Sequence, residues 1–408
     1  MTKKNLTDKL ARFSNQIISQ QTETPKVTPK IPKRYQTLAE SLDADLISRD
    51  EGSYCLIQSS LQDNETYGTK PVLLNLDTVL MDVFSKEKDE MHFDPNQLLF
   101  FDIETTGVSG SGAVPFLIGC GSLFENEFVV RQYLLADYTD ETAMLEDLLD
   151  ELTADKVLVT YNGASFDLPF VKDRMIINRV TRNIPLAGHI DLLHSTRRIF
   201  KKRLKDCSLT NIEREIFGFH RQDDIPGYLV PSVFFEWLNS DSLELMPLVV
   251  EHNKYDIFSL YLLLYELIQV FQSEGETLSE IDDLHALSKL FYNKQENEKS
   301  KKIFKVIHQS EKISPEILLY QSLIYKKEKD YNKAKALWEK ISELETKESF
   351  TANIELSKFY EHHQKDNHRS LKYAQKAEMY CPDSERQKTA LHHRISRLFS
   401  KIEKISDK

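Results

Sequence analysis

The sequence predicts an α/β domain, with a mixed sheet and flanking helices, followed by an all-α region of stacked helical hairpins. Between about residues 97 and 272, apolar runs typical of strands alternate with helical patterns, as in layered α/β domains. After residue 280 the strand signals stop, and helical segments recur with a period of about 34 residues. We therefore expect an N-terminal segment at 1–95, the α/β domain at 96–272 and helical repeats at 280–405.

The N-terminal segment is the least regular part of the sequence. Its first 35 residues carry eight Lys and Arg against Asp8 and Glu23, and TETPKVTPKIPK holds three prolines. This composition is typical of a flexible, basic tail. Further along, SYCLIQSSL and VLLNL are short possible strands, and SKEKDE has the composition of a loop. These patterns do not assign the remainder of the segment to a fold.

The α/β domain begins with LLFFDIE, an apolar run that predicts a buried strand delivering acids at its carboxyl end. Two strands follow in AVPFLIGCGSLF and EFVVRQYLL, around a turn at Glu125–Asn126. Next come a helix in TDETAMLEDLLDEL, a strand in KVLVTYNG, a helix in FDLPFVKDRMIINRV and a short strand in GHIDLLH. The last element is one long helix, SLELMPLVVEHNKYDIFSLYLLLYELIQVF, with Pro247 near its first turn, where proline is tolerated.

The C-terminal region contains three segments that align with one another. Tyr292, Tyr325 and Tyr360 occupy equivalent positions, 33 and 35 residues apart. Helical hairpins of this period, with an aromatic residue in the first helix, are typical of tetratricopeptide repeats, and ERQKTALHHRISRLFSKI would cap the solenoid. A plain helical bundle is the alternative. Such solenoids present concave surfaces that generally bind peptides or proteins, so we expect a protein or peptide partner.

The composition indicates a cytoplasmic protein that does not associate with membranes. The sequence has no run of eighteen apolar residues and no apolar segment at its start. Its four cysteines lie far apart, which favours neither a disulfide framework nor a zinc site. The net charge of −11 is unusual for a nucleic-acid-binding protein, but the run RRIFKKRLK is locally basic. Its residues Arg197, Arg198, Lys201 and Lys202 are candidates for phosphate contact, with a solvated helix face as the equal alternative.

A pair of acids ends the first strand of the α/β domain. Asp102 and Glu104 are two residues apart, so in an extended strand their side chains point to the same face. Two adjacent like charges cost free energy unless a cation neutralises them, and Mg²⁺ or Mn²⁺ prefers such oxygen ligands. Taken alone, the pair is a weak signal, and ordinary solvated acids in a polar loop are the favoured interpretation.

Two further acids lie in other motifs. Asp167 follows an Asn-Gly turn and lies in the first turn of a helix, near the positive end of its dipole, where it is a candidate ligand or a simple cap. His252 and Asp256 are four residues apart and share one face of the long helix. Because this helix is otherwise apolar, Asp256 needs a partner, either a metal ion or His252.

Together, FFDIETTG, NGASFDLPF and HNKYD resemble, in order and spacing, the three motifs of the DEDD exonuclease superfamily on the ribonuclease H-like fold. The chain also resembles a bacterial family called YprB-like, in which such a domain is joined to tetratricopeptide repeats. That resemblance is carried by CSLTNIEREIFGFHRQDDIPGYLVP and HNKYDIFSL.

The DEDD resemblance implies a metal-dependent 3′–5′ exonuclease that hydrolyses phosphodiester bonds at a DNA or RNA 3′ end. It further implies that two Mg²⁺ or Mn²⁺ ions are held by four carboxylates, those of Asp102, Glu104, Asp167 and Asp256. His252 is the candidate general base, because imidazole titrates near the working pH. The spacing of four residues between His252 and Asp256 matches neither subgroup of the DEDD superfamily. One subgroup has a histidine five residues before the last aspartate, and the other has a tyrosine four residues before it. A structure-specific endonuclease and a non-catalytic nucleic-acid-binding or scaffold protein are the alternatives.

Several residues beside these motifs are candidates for substrate contact or support. The loop after the first motif approaches the terminal nucleotide in relatives, and the turn before Asp167 lies at the second motif. The candidates for substrate contact in these two segments are Thr105, Thr106, Gly107, Asn162 and Phe166. A tight turn and a core position for Phe166 are the alternative interpretations. Asp191 is a candidate for support of the site, and Arg221, Asp223 and Asp224 are candidates for ordering a loop over the substrate.

Overall fold

The computed structural model describes residues 31–74, 76, 79–80, 92–107, 110, 112–125, 127–310 and 313–406. The chain divides into two compact units. The first comprises Met1–Thr196 and Asp206–Ile268, and the second comprises Arg197–Lys205 and Gln269–Lys408. The basic tail expected over the first 30 residues and the SKEKDE loop lie outside the described residues.

The first unit contains a seven-stranded sheet in the order β1-β2-β9-β8-β7-β10-β11. Its strands are β1 Asp45–Arg49, β2 Gly52–Gln62, β7 Leu98–Thr105, β8 Pro115–Phe124, β9 Glu127–Leu135, β10 Val157–Thr160 and β11 Gly188–Asp191. Two short hairpins pair β3 Thr66–Tyr67 with β4 Lys70–Pro71, and β5 Val79–Leu80 with β6 His92–Phe93.

The sheet is mixed, as the sequence predicts. β1, β2, β9, β8 and β7 are joined by antiparallel pairings, whereas β10 lies parallel to both β7 and β11. The strands predicted from LLFFDIE, AVPFLIGCGSLF, EFVVRQYLL, KVLVTYNG and GHIDLLH are confirmed. In the turn between β8 and β9, Glu125 adopts the left-handed conformation with φ 46°, and Asn126 lies outside the described residues.

The sheet begins at Asp45, well before the expected start of the α/β domain at residue 96. β2 contains the SYCLIQSSL segment and pairs with β9 from Tyr54 to Gln62. Ahead of β1, helix α1 (Lys33–Ser41) buries Tyr35 and Leu38 in the same core. The sequence does not assign this region because β2 lacks the strict alternation of buried and exposed side chains that reveals an amphipathic strand.

Six further helices lie between Glu141 and Gln272 along the chain. They are α2 Glu141–Leu148, α3 Asp167–Ile177, α4 Leu192–Leu204, α5 Leu209–Ile212, α6 Val230–Ser240 and α7 Met246–Gln272. A π-helical turn, Glu213–Phe217, follows α5, and a 3₁₀ turn, Gly227–Leu229, precedes α6. α7 is the predicted long helix, and Pro247 is its second residue.

Alternate residues of β7 face different layers. Phe101 and Ile103 join a core that includes Trp237 of α6. On the other face, the Phe100 ring centroid lies 5.6 Å from that of Tyr261 in α7. Because Asp102 shares the face of Phe100, α7 lies on the face of the sheet that carries both predicted strand carboxylates.

A glycine in β8 permits the close approach of α7. Gly119 pairs with Asp102 across the β7–β8 ladder. A Cβ atom at Gly119 would lie 2.4 Å from Oδ1 of Asn253, a distance that real side chains do not tolerate. The absence of a side chain at this position therefore lets α7 reach the end of β7.

The second unit is helical, as predicted. Its helices beyond residue 280 are α8 Ile281–Asn293, α9 Asn297–Ile307, α10 Pro315–Lys327, α11 Tyr331–Ser342, α12 Lys347–His362, α13 Asn367–Glu378 and α14 Glu385–Ser406. Neighbouring helices pack against each other in the pairs α8–α9, α10–α11, α11–α12, α12–α13 and α13–α14. Tyr292, Tyr325 and Tyr360 lie in α8, α10 and α12. Their identification as tetratricopeptide repeats stays a prediction. Within the described part of the chain, none of the helices combines the length and apolarity that a membrane span requires.

Candidate functional site

The carboxyl ends of three neighbouring strands meet at one edge of the sheet, because β7, β10 and β11 are parallel. Asp102 and Glu104 lie near the end of β7, and Asp191 is the last residue of β11. Asp167 is the first residue of α3, which follows β10. In open α/β sheets this edge is where ligands bind.

The four predicted carboxylates lie close enough to repel one another. Burial raises the pKa of Asp102 well above its ordinary value, and the negative charges of Asp256, Asp167 and Glu104 raise it further. Burial likewise raises the pKa of Glu104, with Asp256 and Asp167 adding to the shift. One ligand atom each from Glu104, His252 and Asp256 lies within 4.8 Å of the others. The structure thus brings together residues that are up to 154 positions apart in sequence.

Asp167 is buried where α3 begins. Burial raises the pKa of Asp167 to about 7, although hydrogen bonds from its own backbone N–H and from that of Ile103 lower it. The charges of Asp191 and Asp256 raise this pKa further. A carboxylate held in this way is unfavourable at neutral pH unless a positive charge compensates it.

The side-chain amide of Asn253, which is not among the residues predicted from the motifs, donates a hydrogen bond to Asp102. Asn253 is fully buried, and its Nδ2 donates a hydrogen bond to Oδ2 of Asp102 at 2.9 Å. Its Oδ1 accepts from Nε2 of Gln132 at 2.9 Å, and the same Nε2 donates to the backbone carbonyl of Val250 at 2.8 Å. These bonds fix the orientation of Asp102. The available signal was a polar residue between His252 and Asp256 on an apolar helix.

Arg221 supplies one buried positive charge beside the cluster. Its Nη2 donates to Oδ1 of Asp256 at 2.5 Å and to Oε1 of Glu213 at 2.6 Å, while its Nε donates to Oε2 of Glu213 at 2.7 Å. Glu213, in the π-helical turn, also accepts from Oγ of Ser259 at 2.5 Å. One guanidinium is therefore shared between two carboxylates, and it cannot also neutralise the other three acids of the cluster.

His252 lies between Asp224 and the carboxylate cluster. Its Nδ1 is 2.7 Å from Oδ1 of Asp224, and its Nε2 is 3.6 Å from Oδ2 of Asp256 and 3.9 Å from Oε1 of Glu104. Nη1 of Arg221 is also 3.2 Å from Nδ1. We assign a hydrogen to Nδ1, because the shorter contact is with a carboxylate, which only accepts. In the neutral imidazole the lone pair of Nε2 then faces Glu104 and Asp256, where it can accept a proton or bind a cation.

The donor set fits a divalent metal ion. Clustered carboxylate oxygens with raised pKa values, oriented by buried hydrogen bonds, are the ligands that Mg²⁺ and Mn²⁺ prefer. A dication would remove the mutual repulsion that raises the pKa values of Asp102, Glu104 and Asp167.

The loop after β7 uses its threonine hydroxyls internally. Oγ1 of Thr105 donates to the carbonyl of Gly107 at 2.9 Å, and Oγ1 of Thr106 accepts from the backbone N–H of Val114 at 2.9 Å. A Cβ atom at Gly107 would have Ala113 as its nearest neighbour, at 3.7 Å. The predicted substrate contacts Thr105, Thr106 and Gly107 thus follow Glu104 directly, and their hydrogen bonds shape the loop.

The turn before Asp167 is held by Asp191. Its Oδ1 accepts from the backbone N–H of Asn162 at 2.9 Å, and its Oδ2 accepts from that of Ala164 at 3.2 Å. Asn162 is exposed and adopts the left-handed conformation with φ 69°. Phe166 is half-buried, with its ring centroid 5.6 Å from that of Phe170, which agrees with its partial role in the core.

The basic run of α4 lies in the second unit, whereas the carboxylates lie in the first. Nζ of Lys202 forms ion pairs with Asp282 at 3.1 Å and Glu316 at 2.9 Å. Arg197 and Lys201 are exposed, and Arg198 is half-buried. Lys202 therefore has a structural role within its own unit, and contact of the run with phosphates stays a prediction.

Comparison with known proteins places these features in a family context. Residues 99–268 match the family model described as RNase_H superfamily, and this range contains every candidate ligand from Asp102 to Asp256. The match supports the ribonuclease H-like fold expected from the three motifs. The chain is also 35% identical, over 313 residues, to a Bacillus subtilis (strain 168) protein described as "Uncharacterized protein YprB". The aligned region covers 75% of each of the two chains.

Proposed function

The chain belongs to the same protein family as YprB and contains a ribonuclease H superfamily domain, and on this premise we propose that it is a metal-dependent 3′–5′ exonuclease. The observation that carries the proposal is a cluster of buried carboxylates whose negative charges are not fully compensated by nearby cations. Its members are Asp102, Glu104, Asp167 and Asp256. Buried acids in such an arrangement need a cation, and hydrolysis of a phosphodiester is the chemistry that this fold family and these ligands support.

In the proposed reaction, the four carboxylates hold Mg²⁺ or Mn²⁺, and the predicted number of ions is two. Bound divalent ions supply stabilisation of negative charge on the phosphate and activation of water. Asn253 keeps Asp102 oriented, and Asp224 keeps the His252 hydrogen on Nδ1. Nε2 of His252 would then take one proton from the attacking water as the water oxygen bonds to phosphorus. The bond from phosphorus to the 3′ oxygen of the penultimate nucleotide breaks, and that oxygen takes a proton from solvent.

The substrate contacts remain those that the sequence predicts. Thr105, Thr106 and Gly107 would approach the terminal nucleotide through their loop, whose glycine leaves room for close approach. Asn162 and Phe166 would contact it from the turn before α3. The basic run of α4 would contribute phosphate contacts, and the helical unit would bind a protein or peptide partner.

The test uses end-labelled single- and double-stranded DNA and RNA with Mn²⁺ or Mg²⁺ and the purified full-length chain. We expect release of mononucleotides from the 3′ end. Asp102→Ala and Asp167→Ala should each reduce the rate by at least about 100-fold, because loss of a metal ligand exceeds the effect of losing a residue that only supports one. Glu236→Gln, at an exposed position on α6, is the matched control and should keep full activity.

The outcomes separate the alternatives. Equal activity in the alanine variants or in excess EDTA would contradict the mechanism. Long internal fragments as first products would favour a structure-specific endonuclease. Tight nucleic-acid binding without cleavage under any metal condition would favour a non-catalytic binding or scaffold protein.

A further inference from the structure

An exposed tyrosine lies on the segment that contacts His252. Tyr228 is 80% exposed, more than any other large hydrophobic side chain in the described part of the chain. A ring that is 80% exposed contributes little to the stability of the fold, because most of its apolar surface remains in water. That surface is available for contact with a ligand.

The segment around Tyr228 is firmly anchored. Ile225 is 5% exposed and Val230 is fully buried, so the chain enters the core on both sides of the tyrosine. Between them, the 3₁₀ turn Gly227–Leu229 is closed by a hydrogen bond from the backbone N–H of Leu229 to the carbonyl of Pro226 at 2.8 Å. Asp224 ties the start of the segment to Nδ1 of His252 at 2.7 Å. The backbone on both sides of Tyr228 is therefore held in place, while the ring itself is exposed to solvent.

The anchored turn also lies against the candidate site. A Cβ atom at Gly227 would be 3.9 Å from Nε2 of His252, and this nitrogen faces Glu104 and Asp256. Tyr228 is therefore one residue away from the backbone that borders the proposed reaction centre. A side chain at Gly227 would be in van der Waals contact with Nε2, so this part of the turn borders His252 directly.

We propose that Tyr228 is a stacking platform for the unpaired base at the 3′ end of a nucleic-acid strand. The inference rests on the proposed function and adds a specificity-determining residue to it. Every base has a flat π face, so an aromatic platform binds an unpaired base without selecting its identity. A base inside an intact duplex is stacked on its neighbours and cannot offer that face until the end frays.

Binding is tested first, without cleavage. The probe is a single-stranded oligonucleotide with 2-aminopurine at its 3′ end, added to chains that carry Asp102→Ala in EDTA. We expect fluorescence quenching on binding, retained by Tyr228→Phe, and a dissociation constant raised about 10-fold by Tyr228→Ala. Phe124→Ala is the matched control, because Phe124 is 58% exposed and lies at the opposite end of β8 from the site.

Kinetics then distinguish stacking from a structural role. On single-stranded DNA and RNA arms, Tyr228→Ala should raise KM about 10-fold with little change in kcat, and the increase should vanish on a substrate whose terminal nucleotide is abasic. Equal KM values for Tyr228→Ala and the unmodified chain, or an equal loss on the abasic substrate, would overturn the inference. An effect confined to binding of another protein would instead identify the ring as a docking residue and also overturn it.

The two proposals fail separately. Absence of cleavage by the unmodified chain with every metal would reject the exonuclease function, whereas the quenching experiment tests Tyr228 without turnover. Cleavage that is indifferent to Tyr228 would reject the platform and leave the exonuclease function in place.

Discussion

Two buried carboxylate sites, one in each unit of the chain, differ in how their negative charge is compensated. In the second unit, Glu361 is 1% exposed and accepts hydrogen bonds from Arg394 at 2.8 Å, Arg397 at 2.5 Å and Lys401 at 2.6 Å. Burial alone would raise the pKa of Glu361, but these bonds and charges lower it to about 2. In the first unit, burial and mutual repulsion raise the pKa values of Asp102 and Glu104 instead.

The difference separates a structural acid from a functional cluster. Glu361 has three cations of its own, and these bonds attach α14 to α12. The first unit places four acids together and offers them the single guanidinium of Arg221, which Glu213 shares. A buried carboxylate without an internal cation is a cost to the fold, and such costs concentrate at functional sites. The comparison therefore supports the proposal that the acids of the cluster hold a metal ion.

The largest expected effect on stability comes from replacing one acid in each unit by its neutral amide. Glu361→Gln should lower the free energy of unfolding by about 3 kcal/mol, because it leaves three cations without their carboxylate. Asp102→Asn should raise the stability of the metal-free chain at pH 8, since it removes one of the repelling charges. Urea denaturation in EDTA measures both effects.

Opposite signs are the essential result of that experiment. Glu298→Gln, at an exposed position in α9, serves as the control and should change stability by less than about 0.5 kcal/mol. Destabilisation by Asp102→Asn as large as that caused by Glu361→Gln would show that the cluster is structural.

A second test uses pH and metal. The pKa of Asp167 is about 7 in the folded chain against an ordinary value of 3.8, so the folded state holds an extra proton between these values. Stability from this group is therefore present below about pH 4 and is lost as the pH rises through about 7, by about 4 kcal/mol in all. Mn²⁺ should restore it, and the rise in Tm on adding Mn²⁺ should be larger at pH 8 than at pH 5.

Glu361 provides the internal reference for this pH window. Its folded pKa of about 2 lies below the window, so its contribution to stability stays constant from pH 5 to pH 8. Asp167→Asn should reduce both the pH dependence and the effect of Mn²⁺ on Tm. An equal effect of Mn²⁺ on Tm at the two pH values would contradict the proposed metal site.

The smallest expected effect concerns Asp224, an acid of the first unit whose partner is His252. Asp224→Asn should lower kcat about 10-fold at saturating Mn²⁺, because residues that orient a catalytic group have effects of this size. The exposed acid Glu236 on α6 supplies the control, Glu236→Gln, which should be neutral. If His252 binds the metal ion instead of acting as a base, Asp224→Asn will raise the Mn²⁺ concentration at half-maximal rate and leave kcat at saturation unchanged.

Local patterns account for most of the elements that the sequence predicts. Alternation along LLFFDIE places Asp102 and Glu104 on one face, and the four-residue spacing of His252 and Asp256 places them on one helical face. The helical character of the second unit follows equally from its periodicity. β1 is not predicted, and β2 is predicted only as a possible strand, since β2 joins the sheet by pairing with β9, about 70 residues away, and β1 joins through β2.

The sequence by itself determined which acids the chain offers and which face of its own strand or helix each one occupies, because those relations depend on neighbours a few residues apart. Only the tertiary structure decided how these acids are partnered. The bond from Asn253 to Asp102 spans 151 positions, and the bond from Arg221 to Asp256 spans 35. Such contacts depend on how helices pack on the sheet, and they decide whether a buried carboxylate is neutralised by the chain or must recruit a cation.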